Sequence, residues 1–156
     1  MISALKLRPQ VSASRRVAPT TQAAVREPLS EDPEAPIRVL LVEHDPADAS
    51  RLRGLLQTAR SRGLQITEIR DLESALTRLR DEPFDVVLLD LDLPDSRGLD
   101  TLGRAKAAAA AIPMIALSNQ ENEEFGIQAL RLGAQDHLIK SEINARVIFR
   151  SLRHAV

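Results

Sequence analysis

Asp85-Val-Val-Leu-Leu-Asp-Leu-Asp-Leu-Pro-Asp-Ser-Arg-Gly-Leu99 is the stretch on which the reading of the fold turns. Val86 to Leu89 is a short, unbroken apolar run, the pattern of a strand buried on both faces. It runs directly into an acid, Asp90, and then into a loop, Leu93 to Gly98, punctuated by Pro94 and Gly98. An alanine-rich segment from Leu99 to about Ala110 predicts a helix. Upstream, Ile37-Arg-Val-Leu-Leu-Val42 is a second apolar run, followed by Asp45-Pro46, an N-cap with proline at the first helical position. Leu52, Leu55, Leu56 and Ala59 then recur at helical spacing until Gly63. Leu64-Gln-Ile-Thr-Glu-Ile69 alternates as a strand, and Asp71 can cap a helix carrying Leu72, Ala75, Leu76 and Leu79, ended by Pro83. Downstream come a strand over Ile112–Leu117, a helix over about 121–132 closed by Gly133, a short strand His137–Ile139, and a helix marked by Ala145, Ile148, Phe149 and Leu152. Five strands alternating with five helices predict an α/β fold, a parallel sheet covered on both faces. In such folds the crevice lies beyond the carboxyl ends of the strands.

Composition narrows the function. The 156 residues suit one domain, and the 44% apolar and 28% charged content is that of a globular protein. A net charge of -1 gives no pull toward nucleic acid or an anionic membrane. With no cysteine, disulfides, thiolate chemistry and cysteine-bound zinc are excluded. Aromatics are 2%, without Trp or Tyr, so stacking platforms for single-stranded nucleic acid are missing. No apolar run approaches the roughly 20 residues that span a bilayer, and a cytoplasmic location is expected. Residues 1–36 differ from the rest. They hold five of the nine prolines, basic residues through Arg26 and then Glu27, Glu31, Asp32 and Glu34, with no apolar period. The expectation is a disordered tail and linker over 1–36 and a folded domain over 37–156. The acid-free composition of 1–26 also fits an organellar transit peptide.

The strand ends carry the chemistry. The first strand ends in Glu43-His44-Asp45, the third in Asp90 with Asp92 close behind, the fourth in Ser118-Asn119 and the fifth in Lys140-Ser141. Clustered carboxylates repel unless a cation joins them. Oxygen ligands point to Mg²⁺ or Mn²⁺. A carboxylate beside such a metal, a lysine and a hydroxyl suits phosphoryl transfer with the carboxylate as nucleophile. No glycine-rich phosphate cradle follows the first strand.

From Ile37 onward the chain resembles the receiver domains of bacterial two-component systems, on Asp85 to Leu99 and on Gly133-Ala-Gln-Asp-His-Leu-Ile-Lys140. The resemblance implies a flavodoxin-like (βα)5 sandwich with strand order 2-1-3-4-5. It implies that Asp90 is the phosphorylated aspartate, that Ser118 bonds the phosphoryl group and shifts on activation, and that Lys140 is the lysine of the fifth strand. Glu43, Asp90 and the backbone carbonyl of Asp92 would ligate the metal, and His137 takes the switch position, usually Tyr or Phe. It further implies a sensor histidine kinase or phosphotransfer protein as phosphohistidine donor and a downstream effector protein or domain as target. Homodimerisation would use the face of helix four, strand five and helix five. Such a domain is not an enzyme beyond its own phosphorylation and dephosphorylation. The pattern resembles receivers that precede a further sensory or cyclic-dinucleotide domain. Two departures stand out. His44 replaces the second acid of the family's pair, so metal binding is expected to weaken; a degenerate receiver acting as a phosphate-independent interaction module is the alternative. Ser141 stands where the family commonly has proline after the lysine.

Overall fold

The computed structural model describes residues 34–58 and 63–156. The expected tail over 1–36 lies outside the described residues except for 34–36, as does Ala59. The elements are β1 (Ile37–Val42), α1 (Pro46–Gln57), β2 (Leu64–Ile69), α2 (Leu72–Asp81), β3 (Val86–Asp90), α3 (Leu99–Ala108), β4 (Met114–Ser118), α4 (Glu123–Arg131), β5 (Asp136–Ile139) and α5 (Ala145–Ala155). The five strands form one parallel sheet of order β2-β1-β3-β4-β5, as the resemblance implies.

Side chains alternate across each strand, so the apolar runs feed two cores. Leu40, Val42, Val87, Leu89, Met114 and Ala116 meet α2 and α3 on one face through Leu72, Ala75 and Leu102. Val39, Leu41, Val86, Leu88, Ile115 and Leu117 meet α1 and α5 on the other through Leu52, Leu56, Ile148 and Leu152. β3 and β4 are buried along their whole length, which is why they read as unbroken apolar runs. The edge strand β2 has no fully buried residue and exposes Gln65 and Glu68, one on each face, so the alternation expected from its sequence is not seen in its burial.

The expected caps are present. Asp45 accepts from the Ala47 and Asp48 amides and Asp71 from the Ser74 amide. Gly133 closes α4 at φ 100°, a conformation in which a side chain is strained. Other boundaries differ from expectation. α3 stops at Ala108, and β4 starts at Met114 because Pro113 has no N–H for the ladder, although its carbonyl accepts from Val87. The stretch from Leu93 to Gly98 is more ordered than a plain loop. Asp92–Leu93 pairs antiparallel with Ser96–Arg97, and the Gly98 amide donates to the Leu91 carbonyl at 2.6 Å. Asp95 at the tip of this hairpin accepts from the Leu72 and Glu73 amides at 2.9 and 3.0 Å, so it caps α2 across 23 residues of sequence. Burial opposes ionisation of that carboxyl, but the two amides hold its pKa below the usual range. The hairpin that follows Asp90 is thereby pinned to the body of the domain. No helix among the described residues is long and apolar enough to cross a membrane.

Candidate functional site

β1 and β3 are adjacent and in parallel register, so their carboxyl ends place Glu43 and Asp90 side by side. Both are buried, at 2% and 0% exposure. β5 ends two strands away, yet Lys140 reaches back, itself only 5% exposed. Its Nζ lies 2.7 Å from Glu43 Oε2 and 3.0 Å from Asp90 Oδ2. Both are short, buried ion-pair contacts, and the ammonium is the one polar partner of Glu43 Oε2 among the described residues. A longer hydrogen bond from Lys140 reaches Asp48 Oδ2, at 3.4 Å. Burial pushes the Glu43 carboxyl up to about 6, against the opposing pull of Lys140 and the Asp45 amide; the charge on Asp90 adds to the rise. Burial alone would lower Lys140, but Glu43 and Asp90 outweigh it and hold the ammonium above its ordinary value.

His44 completes this group. Its Nδ1 lies 3.3 Å from Asp90 Oδ2 and 3.7 Å from Glu43 Oε1. Ligand atoms of Glu43, His44 and Asp90 all fall within 4.8 Å of one another, close enough to share one metal ion. Two carboxylates and an imidazole form a donor set that a divalent cation fits. With nitrogen among the ligands it favours Mn²⁺ over Mg²⁺. Asp45 does not join them, because its oxygen is committed to the amides of α1, which also hold its carboxyl below the usual range.

The remaining expected residues divide. Asp92 turns its carboxylate to Arg97 at 3.4 Å, away from the cluster, while its amide donates to Asp90 Oδ1 at 3.0 Å. It therefore meets Asp90 through backbone. Ser118 lies one residue beyond Leu117, the partner of Asp90 in the β3–β4 register. Its Oγ accepts from the Gln120 amide at 3.2 Å and bonds His137 Nε2 at 2.7 Å. The His137 ring stacks edge-on with Phe125, centroids 5.6 Å apart. Burial lowers its pKa, with Asp136 opposing. Ser118, Asn119, Asp92, Arg97 and Phe125 line a cleft of about 380 Å³ beside this edge. Ser141 lies in a trans-linked 3-10 turn, Lys140–Glu142. Reading the sequence missed Asp48. Its signal was an acid in the first turn of α1, the end of the helix that faces the strand termini.

A family model described as "Response regulator receiver domain" matches residues 39–152. The chain belongs to that family. It is 33% identical over 104 residues to the transcriptional regulatory protein ZraR of Escherichia coli K12, a match covering 67% of this chain and 23% of that protein. Among solved structures it is similar to the phosphorylated cyanobacterial phytochrome response regulator RcpA, with TM-score 0.62 and 27% identity, covering 74% of this chain and 88% of that one. It is also similar to the Mn²⁺-bound form of response regulator Rcp1, with TM-score 0.62 and 26% identity, covering 74% and 89%. The chain thus spans under a quarter of the length of that curated relative.

Proposed function

We propose that this domain accepts a phosphoryl group on Asp90 from a phosphohistidine donor and relays the change to a protein-interaction face. The observation that carries this reading is the buried convergence of Asp90, Glu43 and Lys140 at the carboxyl edge of the sheet. The Asp92 amide holds Oδ1 of Asp90, which fixes the carboxylate and leaves Oδ2 toward Lys140. In the transfer, an Asp90 oxygen forms the new O–P bond as the donor's N–P bond breaks and the imidazole departs with its electron pair. Lys140 trades its contact with Asp90 for a phosphoryl oxygen. Ser118 exchanges His137 for another oxygen of the same group, and that exchange carries the signal into α4 and β5. Glu43, His44, Asp90 and the Asp92 carbonyl would hold Mg²⁺ or Mn²⁺. Bound there, the ion supplies charge neutralisation between the carboxylate and the phosphoryl oxygens.

The donor in this reading is a sensor histidine kinase or phosphotransfer protein, met in the cytoplasm. The receiving surface is the α4-β5-α5 face, where Ile127 and Leu130 of α4 are exposed; a downstream effector or a second copy would use it. No direct contact with nucleic acid or membrane is part of this reading. The domain's chemistry is confined to its own phosphorylation and dephosphorylation. The test is mass spectrometry after incubation with acetyl phosphate and either cation. A single phosphoryl adduct that disappears in Asp90→Asn is expected, and an adduct that survives in the variant sinks the assignment. His44 beside Asp90 favours a second reading, a phosphate-independent interaction module. No adduct, together with no metal binding in a titration, would select it.

A further inference from the structure

We propose that Arg51 and Asp48, one turn apart on α1, are positioning residues that set Lys140 for the phosphoryl group. The proposal rests on the phosphoacceptor reading above. Lys140 opens the 3-10 turn Lys140–Glu142, which has no side-chain cap of its own. At its end the turn is closed by a long bond, from the Ile143 amide to the Lys140 carbonyl at 3.4 Å. Arg51 supplies what the turn lacks. Its Nη2 donates to the Lys140 carbonyl and its Nη1 donates to the Ile143 carbonyl at 3.3 Å. The planar guanidinium thus spans both ends of the turn, and its rigid fork fixes their separation.

Asp48 acts on the other end of the same residue, as a third carboxylate acceptor for the Lys140 ammonium, at 3.4 Å. Residues at i and i+3 share a helix face, so α1 holds Lys140 by backbone and by side chain at once. The stem of Lys140 is therefore stretched between two fixed points and its ammonium is delivered over Glu43 and Asp90. Geometry of this kind matters more for transfer than for stability, because a misplacement of about 1 Å can cost on the order of a hundredfold in rate. Arg51 itself lies at the surface, so replacing it should leave the fold intact.

The experiment uses the full chain with Arg51→Met, Asp48→Asn and Lys140→Met, singly and with each α1 change combined with Lys140→Met. The rate of phosphorylation by acetyl phosphate should fall about tenfold in Arg51→Met and about threefold in Asp48→Asn. In the Lys140→Met background neither change should matter beyond about twofold, since both act through Lys140. Arg51→Lys should recover less than half of the loss, because an ammonium cannot span two carbonyls. Amide hydrogen exchange gives a readout independent of phosphorylation: Ile143 should exchange about tenfold faster in Arg51→Met. A rate unaltered by Arg51→Met overturns the proposal, as does an equal loss with and without Lys140. Should the parent chain take up no phosphoryl group, the phosphoacceptor reading fails, and unaltered exchange at Ile143 then overturns the Arg51 clamp on its own.

Discussion

Asp85 and Asp90 bracket β3, and each sits beside a cation contributed from elsewhere in the chain. At the amino end, Asp85 takes one guanidinium. Its Oδ2 accepts from the Arg38 amide at 2.7 Å and from Arg38 Nε at 3.3 Å, and its Oδ1 accepts from Nη2 at 3.1 Å. One charge meets one charge, and both oxygens are matched. At the carboxyl end, Glu43, Asp48 and Asp90 all crowd one ammonium, Lys140. A balanced pair with both carboxylate oxygens matched serves the fold. A buried surplus of negative charge is poised for something that brings positive charge or takes up the carboxylate, so it serves a ligand.

The contrast is most exposed to failure in stability. Asp85→Asn should lower the unfolding free energy by about 2 kcal/mol, because a charge-assisted set of bonds is broken and Arg38 is stranded. Asp90→Asn in the metal-free protein should cost nothing or stabilise, since it relieves repulsion with Glu43. Denaturant midpoints for both variants measure this, and equal losses would erase the distinction.

The next effect is in pH. Glu43 is raised from 4.5 to about 6, so the folded chain keeps a proton that the unfolded chain has released. Stability from this group is therefore present at low pH and declines as pH rises from about 4.5 to about 6. Across that window the metal-free parent should lose about 2 kcal/mol relative to Glu43→Gln. Unfolding curves at pH 4.5 and 7 decide it; parallel behaviour of the two proteins would place Glu43 in a solvated setting.

Smaller again is the effect of the imidazole. His44→Asp restores an all-oxygen donor set and should tighten Mg²⁺ about tenfold, roughly 1.4 kcal/mol, with a lesser gain for Mn²⁺. Flat Mg²⁺ titrations would remove His44 from the metal's ligands. Smallest is the change on deleting residues 1–36, which we propose are a linker. The thermal midpoint should move by less than about 4 °C, on the order of 1 kcal/mol, and a larger drop would mean that the segment packs on the domain.

The sequence by itself determined the elements and the edge of the sheet at which the chemistry gathers. β1, β3 and the caps Asp45, Asp71 and Gly133 were legible because their causes are local: a run of apolar residues, a side chain bonding an amide two or three residues on, a glycine at φ 100°. Glu43, Asp90, Ser118 and Lys140 were legible as a set because parallel strands in one sheet must bring their carboxyl ends to one edge. Tertiary structure alone decided that Asp95 caps α2, that Asp92 spends its carboxylate on Arg97, that Ser118 is held by His137, and that Asp48 and Arg51 turn toward Lys140. In the sequence each of these is an ordinary polar residue of a turn, a strand end or a helix face. Periodicity says which residues share a face, but the rotation of a helix and the docking of a hairpin follow from the packing of two cores. The contacts from Asp48 and Arg51 to Lys140, across 92 and 89 residues of chain, exist only once that packing is complete.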